Sequence, residues 1–328
     1  MFSLSCALEQ ENLMAKAFIS GQKGFIGSEL IKQLNKKSIK CNDSSFSYSS
    51  YCSFLGRNEE NILRTSDLRE VDVLIHLAAR VHIMNDLESD PFSKFNQSNV
   101  QGTLMLAKQA SKAGVKRFIF ISSVKVNGET TSDDQPFTSD DHHIPTDPYG
   151  LSKYEAEQGL LSLAKETGME VVIIRPPLVY GPDVKANFAS MMHWVKKGIP
   201  LPLGAIHNKR SLVAIENLVS FIIHCIDHPK AANEIFLISD GEDVSTTELL
   251  KKVAKAFQVH SWLIPIPVSW MKLAARIVGK GDVANRLFSS LQVDSSKARD
   301  LLGWQQVITM DEQLKKTADA YLENEKTI

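Results

Sequence analysis

Several absences narrow the reading before any motif is considered. No run of the sequence approaches the roughly 20 consecutive apolar residues that a membrane-spanning helix needs, so no insertion into a bilayer is expected. The first 13 residues carry Glu9, Gln10 and Glu11 and offer neither a basic leader nor a clean apolar stretch, which argues against a secretory signal. Residues 1–13 read as a disordered tail, and Met14, just ahead of the first apolar run, is a candidate start. The four cysteines, Cys6, Cys41, Cys52 and Cys225, make no CxxC pair, so a disulfide framework has no support and a reducing, cytoplasmic setting fits best. His224 and His228 flank Cys225, but no second cysteine or acidic motif completes a zinc pattern, and no metal is expected. An excess of either charge is missing too. Lys and Arg number 37 against 38 Asp and Glu, a formal net charge of −1, which excludes a broad basic surface for nucleic acid.

What is present is an alternation of strand-like and helix-like stretches. Lys16–Ser20 is a short apolar run that enters Gly21, Gly24 and Gly27, after which Phe25–Leu34 takes up helical spacing. Residues 73–77, 118–121 and 171–174 are continuous β-branched and aromatic runs, the pattern of strands covered on both faces. Between them lie predicted helices at 96–113 and 149–165, each ending near a glycine, Gly114 or Gly168, that suits a helix C-cap. This order predicts an α/β fold, a doubly wound parallel sheet of the Rossmann type. Strand two, near Ser38–Cys41, is faint, and Ser44–Ser53 reads as a loop. After Pro176 prolines interrupt the chain repeatedly, and helices resume over Leu212–Ile226 and Thr246–Phe257. The expected organisation is a dinucleotide-binding domain over residues 14–180 and a smaller, mainly substrate-binding lobe over 181–328. No internal repeat is present.

Two clusters carry chemistry. Gly21-Gln-Lys-Gly24-Phe25-Ile26-Gly27 places three glycines at a strand-to-helix turn, where bare backbone lets a pyrophosphate approach and the helix N-terminus offers free N–H groups. The spacing is GxxGxxG rather than the commoner GxGxxG, so by itself it is a modest signal. Tyr149 and Lys153 stand four apart at the start of a helix, on one face, so a phenol and an ammonium can enter one cleft. A nearby ammonium favours the phenolate, as an acid/base working near neutral pH requires. Ser123 ends a strand at the carboxyl edge, where open α/β sheets bind ligands.

In this arrangement the sequence resembles the extended short-chain dehydrogenases, the NAD-dependent epimerase/dehydratase family. The resemblance runs from about Lys16 to about Trp304 through the glycine turn, Asp67-Leu68, His76-Leu-Ala78-Ala79, Asn99-Val-Gln-Gly-Thr103, Phe120-Ile-Ser-Ser123, Tyr149-xxx-Lys153, Arg175-Pro176, Val179-Tyr-Gly-Pro182 and Asp294-Ser-Ser-Lys-Ala298. It implies NAD or NADP as cofactor, with Asp67 and Leu68 at the adenine, Ala78, Ala79 and Pro176 along the cleft, and Lys153 holding the nicotinamide ribose. Asp43 is the acid nearest the end of strand two, placed for a ribose hydroxyl. Ser123, Tyr149 and Lys153 would be the catalytic three. A UDP-sugar would lie against the C-terminal lobe, its diphosphate near Asn187 and Arg210, with Arg286 a looser candidate.

Within that family, dehydratases place an acidic pair after the catalytic hydroxyl. Here Val124 and Lys125 stand there, and valine transfers no proton, so dehydration is disfavoured. Leu291, three before Asp294, occupies a position that can gate sugar size, and its modest bulk suits an N-acetylhexosamine, although it could equally pack the core. Segments 124–128, 175–182 and 201–210 resemble the 4-ketoreductases that form UDP-N-acetylquinovosamine for surface polysaccharide, such as lipopolysaccharide. The expectation is therefore NAD(P)H-dependent reduction of a UDP-4-keto-6-deoxy-N-acetylhexosamine. A UDP-glucose or UDP-N-acetylglucosamine 4-epimerase with bound NAD is the alternative, and a non-catalytic dinucleotide sensor is the alternative of another class. A homodimer is left open.

Overall fold

The computed structural model describes residues 16–42, 47–53, 68–80, 91–132, 135–277, 279 and 281–326. Its strands are β1 (Lys16–Ser20), β2 (Lys40–Cys41), β3 (Val73–His76), β4 (Arg117–Ile121), β5 (Glu170–Arg175), β6 (Leu178–Tyr180), β7 (Arg210–Ala214), β8 (Ile235–Leu237) and β9 (Asp243–Val244). Its helices are α1 (Phe25–Lys36), α2 (Tyr48–Ser53), α3 (Pro91–Phe95), α4 (Thr103–Lys112), α5 (Pro148–Thr167), α6 (Ala186–Lys196), α7 (Ile215–His224), α8 (Thr246–Phe257), α9 (Val268–Ile277), α10 (Gly281–Phe288), α11 (Ser296–Leu302) and α12 (Met310–Lys326). The expected Asp43 and Asp67, and the tail before Met14, lie outside the described residues.

The apolar runs become strands because both of their faces are covered. Alternate residues of each strand face opposite ways, so Ile19, Ile75, Ile119 and Val172 pack under α1 and α7. Their neighbours Phe18, Leu74, Phe118 and Val171 pack under α2, α4 and α5. The described strands form a parallel sheet in the order β2-β1-β3-β4-β5-β8, beside a small sheet β6-β7-β9. Strand order reverses between β1 and β3, and a crevice forms where the connections leave that point in opposite directions. Both β8 and α7 come from beyond residue 180, so the later chain completes the main sheet.

Three local readings change. The segment expected to be a loop over Ser44–Ser53 contains α2, because Tyr48 and Tyr51, three apart, are buried against the sheet. The predicted helix at 96–113 begins as a π-helical stretch, Asn96–Gly102, before α4 takes over. The predicted helix from Leu212 is strand as far as Ala214, since Arg210–Ala214 pairs with both β6 and β9. Gly168 caps α5 with φ at 75°, as the sequence indicated.

Candidate active site

The β1-to-α1 turn is shaped first by its own packing. Gly21 has φ at 87°, and a Cβ there would lie 2.8 Å from the Ala78 nitrogen, so the turn sits directly against the segment leaving β3. A Cβ on Gly27 would collide with Gly21 O at 2.1 Å, so this glycine lets α1 close onto the turn. Gly24 differs. It is exposed, and its Cβ would meet only Gly21 O, at 3.2 Å. It caps α1 without any side-chain oxygen, so the first N–H groups of the helix, at Phe25, Ile26 and Gly27, keep the orientation that receives a phosphate. Next to it, Gln22 donates to Asn42 O at 3.0 Å and to Asn42 Oδ1 at 2.7 Å, fixing the end of β2 against the turn.

Ala78 and Ala79, half-buried, follow β3 on the other side of the same crevice. They are tied to α5, the helix that carries Tyr149 and Lys153, by a residue to which the sequence gave no role. Asn99, in the π-helical stretch, accepts from Arg80 N at 2.8 Å and donates to Arg80 O at 3.0 Å and Ser152 Oγ at 3.0 Å. Ser152 donates in turn to Tyr149 O at 2.8 Å. Widening a helix by one residue per turn re-aims a side chain, a common use of π-helical turns. Leu68 is wholly buried among the residues beneath the sheet, so its side chain is not open to an adenine. Pro176 is buried, and its carbonyl accepts from Val124 N at 3.0 Å.

Helix α5 opens at Asp147, whose Oδ1 accepts from Gly150 N at 3.0 Å, with Pro148 in the first turn where a missing N–H costs nothing. Lys125 Nζ binds the same carboxylate at 3.1 Å. The lysine that stands where dehydratases carry an acid thus clamps the start of the helix that presents Tyr149. Lys153 is buried, its Nζ donating to Ile121 O at 2.8 Å and lying 4.5 Å from the Phe120 ring centre. That carbonyl is two residues before Ser123, so the lysine reaches the carboxyl end of β4 from beneath. Burial, only partly offset by the charge of Glu157, lowers Lys153 to about 7. Tyr149 moves the other way. Burial and the neighbouring Asp147 carboxylate push its phenol up to about 12. The lowered tyrosine expected from a charged lysine is therefore corrected, because Lys153 is turned to a carbonyl and itself held near neutrality. Ser123 Oγ accepts from Lys125 N at 3.3 Å, and the preceding Ser122 Oγ is buried without a hydrogen-bond partner at the end of β4.

A second buried network lies behind. His76 receives Ser20 Oγ at 2.5 Å on Nδ1 and meets Thr103 Oγ1 at 2.9 Å on Nε2, and burial together with the Lys153 charge holds its pKa well below the ordinary value. Glu157 takes both Nε and Nη2 of Arg175, at 3.0 and 2.6 Å, while Arg175 Nη1 donates to Asn127 at 3.1 Å.

The substrate-side candidates are dispersed. Asn187 is exposed near the start of α6, beside Phe188, whose ring stacks on Tyr180. Arg210, half-buried on β7, donates to Ser289 O at 3.1 Å. Leu291 bridges to Arg210 and packs with Val124, Leu237 and Val293, next to the Ser123 turn. Arg286 falls in α10, and its side chain lies outside the described residues.

The description "NAD dependent epimerase/dehydratase family" matches residues 17–239, more than half of the chain. The chain belongs to that family. It is an NAD-dependent enzyme type, and the residues above fit the cofactor: a bare-backbone turn whose helix cap uses no side chain, an unpartnered buried hydroxyl at the end of β4, and Lys153 held at the same strand end. A UDP-glucose 4-epimerase of Vibrio cholerae is 48% identical over 316 residues, covering 93% of this chain and 95% of that protein. Among solved structures, UDP-glucose 4-epimerase from Thermotoga maritima with UDP-glucose superposes with a TM-score of 0.69 at 24% identity, covering 94% of this chain and 99% of that one. UDP-glucuronic acid 4-epimerase from Bacillus cereus in complex with NAD gives 0.71 at 21% identity, covering 94% and 99%. Another neighbour of the same fold was solved with NADPH. No described helix is long and apolar enough to cross a membrane.

Proposed function

We propose that this enzyme is a 4-epimerase of a UDP-hexose, with Ser123, Tyr149 and Lys153 as its catalytic residues. The observation that carries the reading is the 48% identity to a UDP-glucose 4-epimerase across nearly the full length of both chains. The geometry of the strand end and of α5 supports it. This places the epimerase ahead of the 4-ketoreductase that segments 124–128, 175–182 and 201–210 resemble.

NAD, when bound along the glycine turn and the Ala78–Ala79 wall, supplies the acceptor and donor of hydride at C4. The chain's own residues do the rest. Tyr149 takes the proton of the C4 hydroxyl as C4 becomes a carbonyl and gives it back when the alcohol re-forms. A phenol pushed up to about 12 starts as the acid at neutral pH, so removing its proton needs a base close by. Lys153, lowered to about 7, can gain or lose a proton in that range without a large penalty. Ser123, at the head of the Val124–Val126 turn, holds the sugar oxygen in line with Tyr149. No carboxylate follows Ser123, so nothing there serves C5 proton removal, and the chemistry stays at C4. Arg210 and Asn187 are the residues we assign to the diphosphate, and Leu291, through its contact with Val124, to the wall around the sugar.

The deciding experiment is a stoichiometric one. An epimerase interconverts UDP-glucose and UDP-galactose, or their N-acetylated counterparts, with no reductant added and no net change in nicotinamide absorbance. A reductase consumes one reduced nicotinamide per molecule of UDP-4-keto-6-deoxy-N-acetylglucosamine. Nicotinamide consumption without interconversion would overturn the epimerase in favour of the reductase, and binding of NAD with neither reaction would favour a sensor.

A further inference from the structure

The C-terminal lobe carries an apolar surface that none of the described residues covers. No residue of α9 is buried. At about 100° per residue the helix has two opposed apolar stripes. Val268, Met271 and Ala275 are half-buried, whereas Trp270, Leu273 and Ile277, on the opposite side of the helix, are 72, 62 and 78% exposed. The strand-like segment just before α9 extends the same surface. Leu201 and Leu263 pair there, with Leu201 N donating to Trp262 O and Ile264 N to Leu201 O, both at 2.8 Å. Leu263 packs inward, so its neighbours Trp262 and Ile264 are left outside, at 59 and 47% exposure. Two tryptophans and three aliphatic side chains exposed within sixteen residues are more than the scattered single apolar residues that any soluble protein shows.

The charged residues of α9 are both basic. Lys272 and Arg276 are exposed and lie four apart along the flank of the Trp270–Ile277 stripe. Tryptophan and long aliphatics on one face with basic residues at its edge is the arrangement of a helix that rests in the headgroup region of a bilayer. A second copy of the chain is a poorer fit, since a two-fold contact through this flank would set Lys272 and Arg276 of one copy against those of the other.

We infer that α9, with Trp262 and Ile264, docks this enzyme on the surface of an anionic phospholipid bilayer. The apolar stripe enters among the headgroups, Lys272 and Arg276 meet lipid phosphates, and the catalytic crevice stays in water. The inference does not depend on which sugar is turned over.

The test uses the full chain and vesicles of phosphatidylglycerol mixed with phosphatidylcholine, beside vesicles of phosphatidylcholine alone. The protein should sediment with the anionic vesicles, shift its tryptophan emission to the blue, and be released by salt. The triple change Trp270→Ser, Leu273→Ser, Ile277→Ser should lower the partition about tenfold or more, and Lys272→Glu with Arg276→Glu, which leaves the apolar stripe whole, should abolish the preference for anionic lipid. Both variants should keep normal turnover of the soluble sugar nucleotide, which shows that they fold. Failure of the parent protein to bind anionic vesicles would overturn the inference. So would a dimer in analytical ultracentrifugation that the serine variant dissolves, since the patch would then lie between copies.

Discussion

Helix α5 takes charge out of water, burying Lys153 and Glu157, whereas α9 holds Trp270, Leu273 and Ile277 out in it. Both invert the ordinary distribution, and the difference lies in what compensates each. Glu157 is answered inside the fold by the two-pronged grip of Arg175. Lys153 has one carbonyl and one ring face, which is too little to hold a full charge, so it sits near neutrality where proton transfer is cheap. For the outer stripe of α9 no such compensation stands among the described residues. The inversion repaired internally lies at the site we assign to the reaction, and the one left unrepaired lies on the surface we assign to a partner.

Removing the repair should give the largest effect. Arg175→Ala leaves Glu157 buried without its cation and should cost about 3–5 kcal/mol, read as a lower urea midpoint. An unchanged midpoint would mean that Glu157 finds another partner and that α5 carries less strain than its burial implies. Next, Tyr149→Phe should lower kcat by about 10²-fold or more with little change in cofactor affinity, the scale of a lost acid/base. Turnover equal to the parent would remove the phenol from the reaction.

The glycine turn gives a smaller and more selective effect. Gly24→Val should weaken NAD binding in a fluorescence titration while the melting temperature holds, because Gly24 is exposed and its Cβ would meet only Gly21 O, at 3.2 Å. Gly21 and Gly27 are unsuitable for that test, since a side chain at either strikes backbone before any ligand arrives. A Gly24→Val protein with parental affinity would place the dinucleotide elsewhere.

The lysine offers a pH test. With Lys153 lowered to about 7 when folded and ordinary when unfolded, the unfolded chain binds more protons at alkaline pH. Stability should therefore rise as pH climbs through about 7 toward the ordinary lysine value of about 10.4, and Lys153→Met should flatten that rise. Parallel curves for the two proteins would show Lys153 charged in the fold. The smallest effect belongs to α9. Trp270→Ser should change the unfolding free energy by no more than about 0.5 kcal/mol, as for an exposed position with no internal contacts to lose. A larger loss would mean that the stripe packs on the lobe after all, and the contrast with α5 would fail.

The sheet was legible because its strands are continuous apolar runs, and Val73–His76 appears in the fold almost as it reads in the sequence. The glycine turn and the Tyr149–Lys153 helix start were legible for a similar reason, each being a local pattern with a fixed period. What escaped was set by distant partners. Tyr48 and Tyr51 make a helix of a serine-rich stretch only because the sheet gives them somewhere to bury. Asn99 was visible within its motif, but its bond to Ser152, across many intervening residues, depends on the π-helical widening, which has no signature in composition. Glu157 stands in no motif, and Arg175 stands only beside Pro176 in one, so their pairing is visible only once the fold brings them together. The exposed stripe of α9 was hidden for the opposite reason, since a sequence shows that a helix has two apolar faces without telling which of them is covered.

Strand β8 reaches back to β5, pairing Ile173–Arg175 with Ile235–Leu237. Arg117, on β4, also waits on that stretch of chain, donating to the carbonyls of Cys225, Ile226 and His228. During synthesis the strands up to β5 leave the ribosome well before β8 does. Until Leu237 emerges, β5 presents an open row of backbone donors and acceptors, and the Arg117 guanidinium has no carbonyls to occupy it. Translation speed through α7 therefore sets how long that edge stands available to other nascent chains. A pause there prolongs the exposure, and a brisk passage ends it.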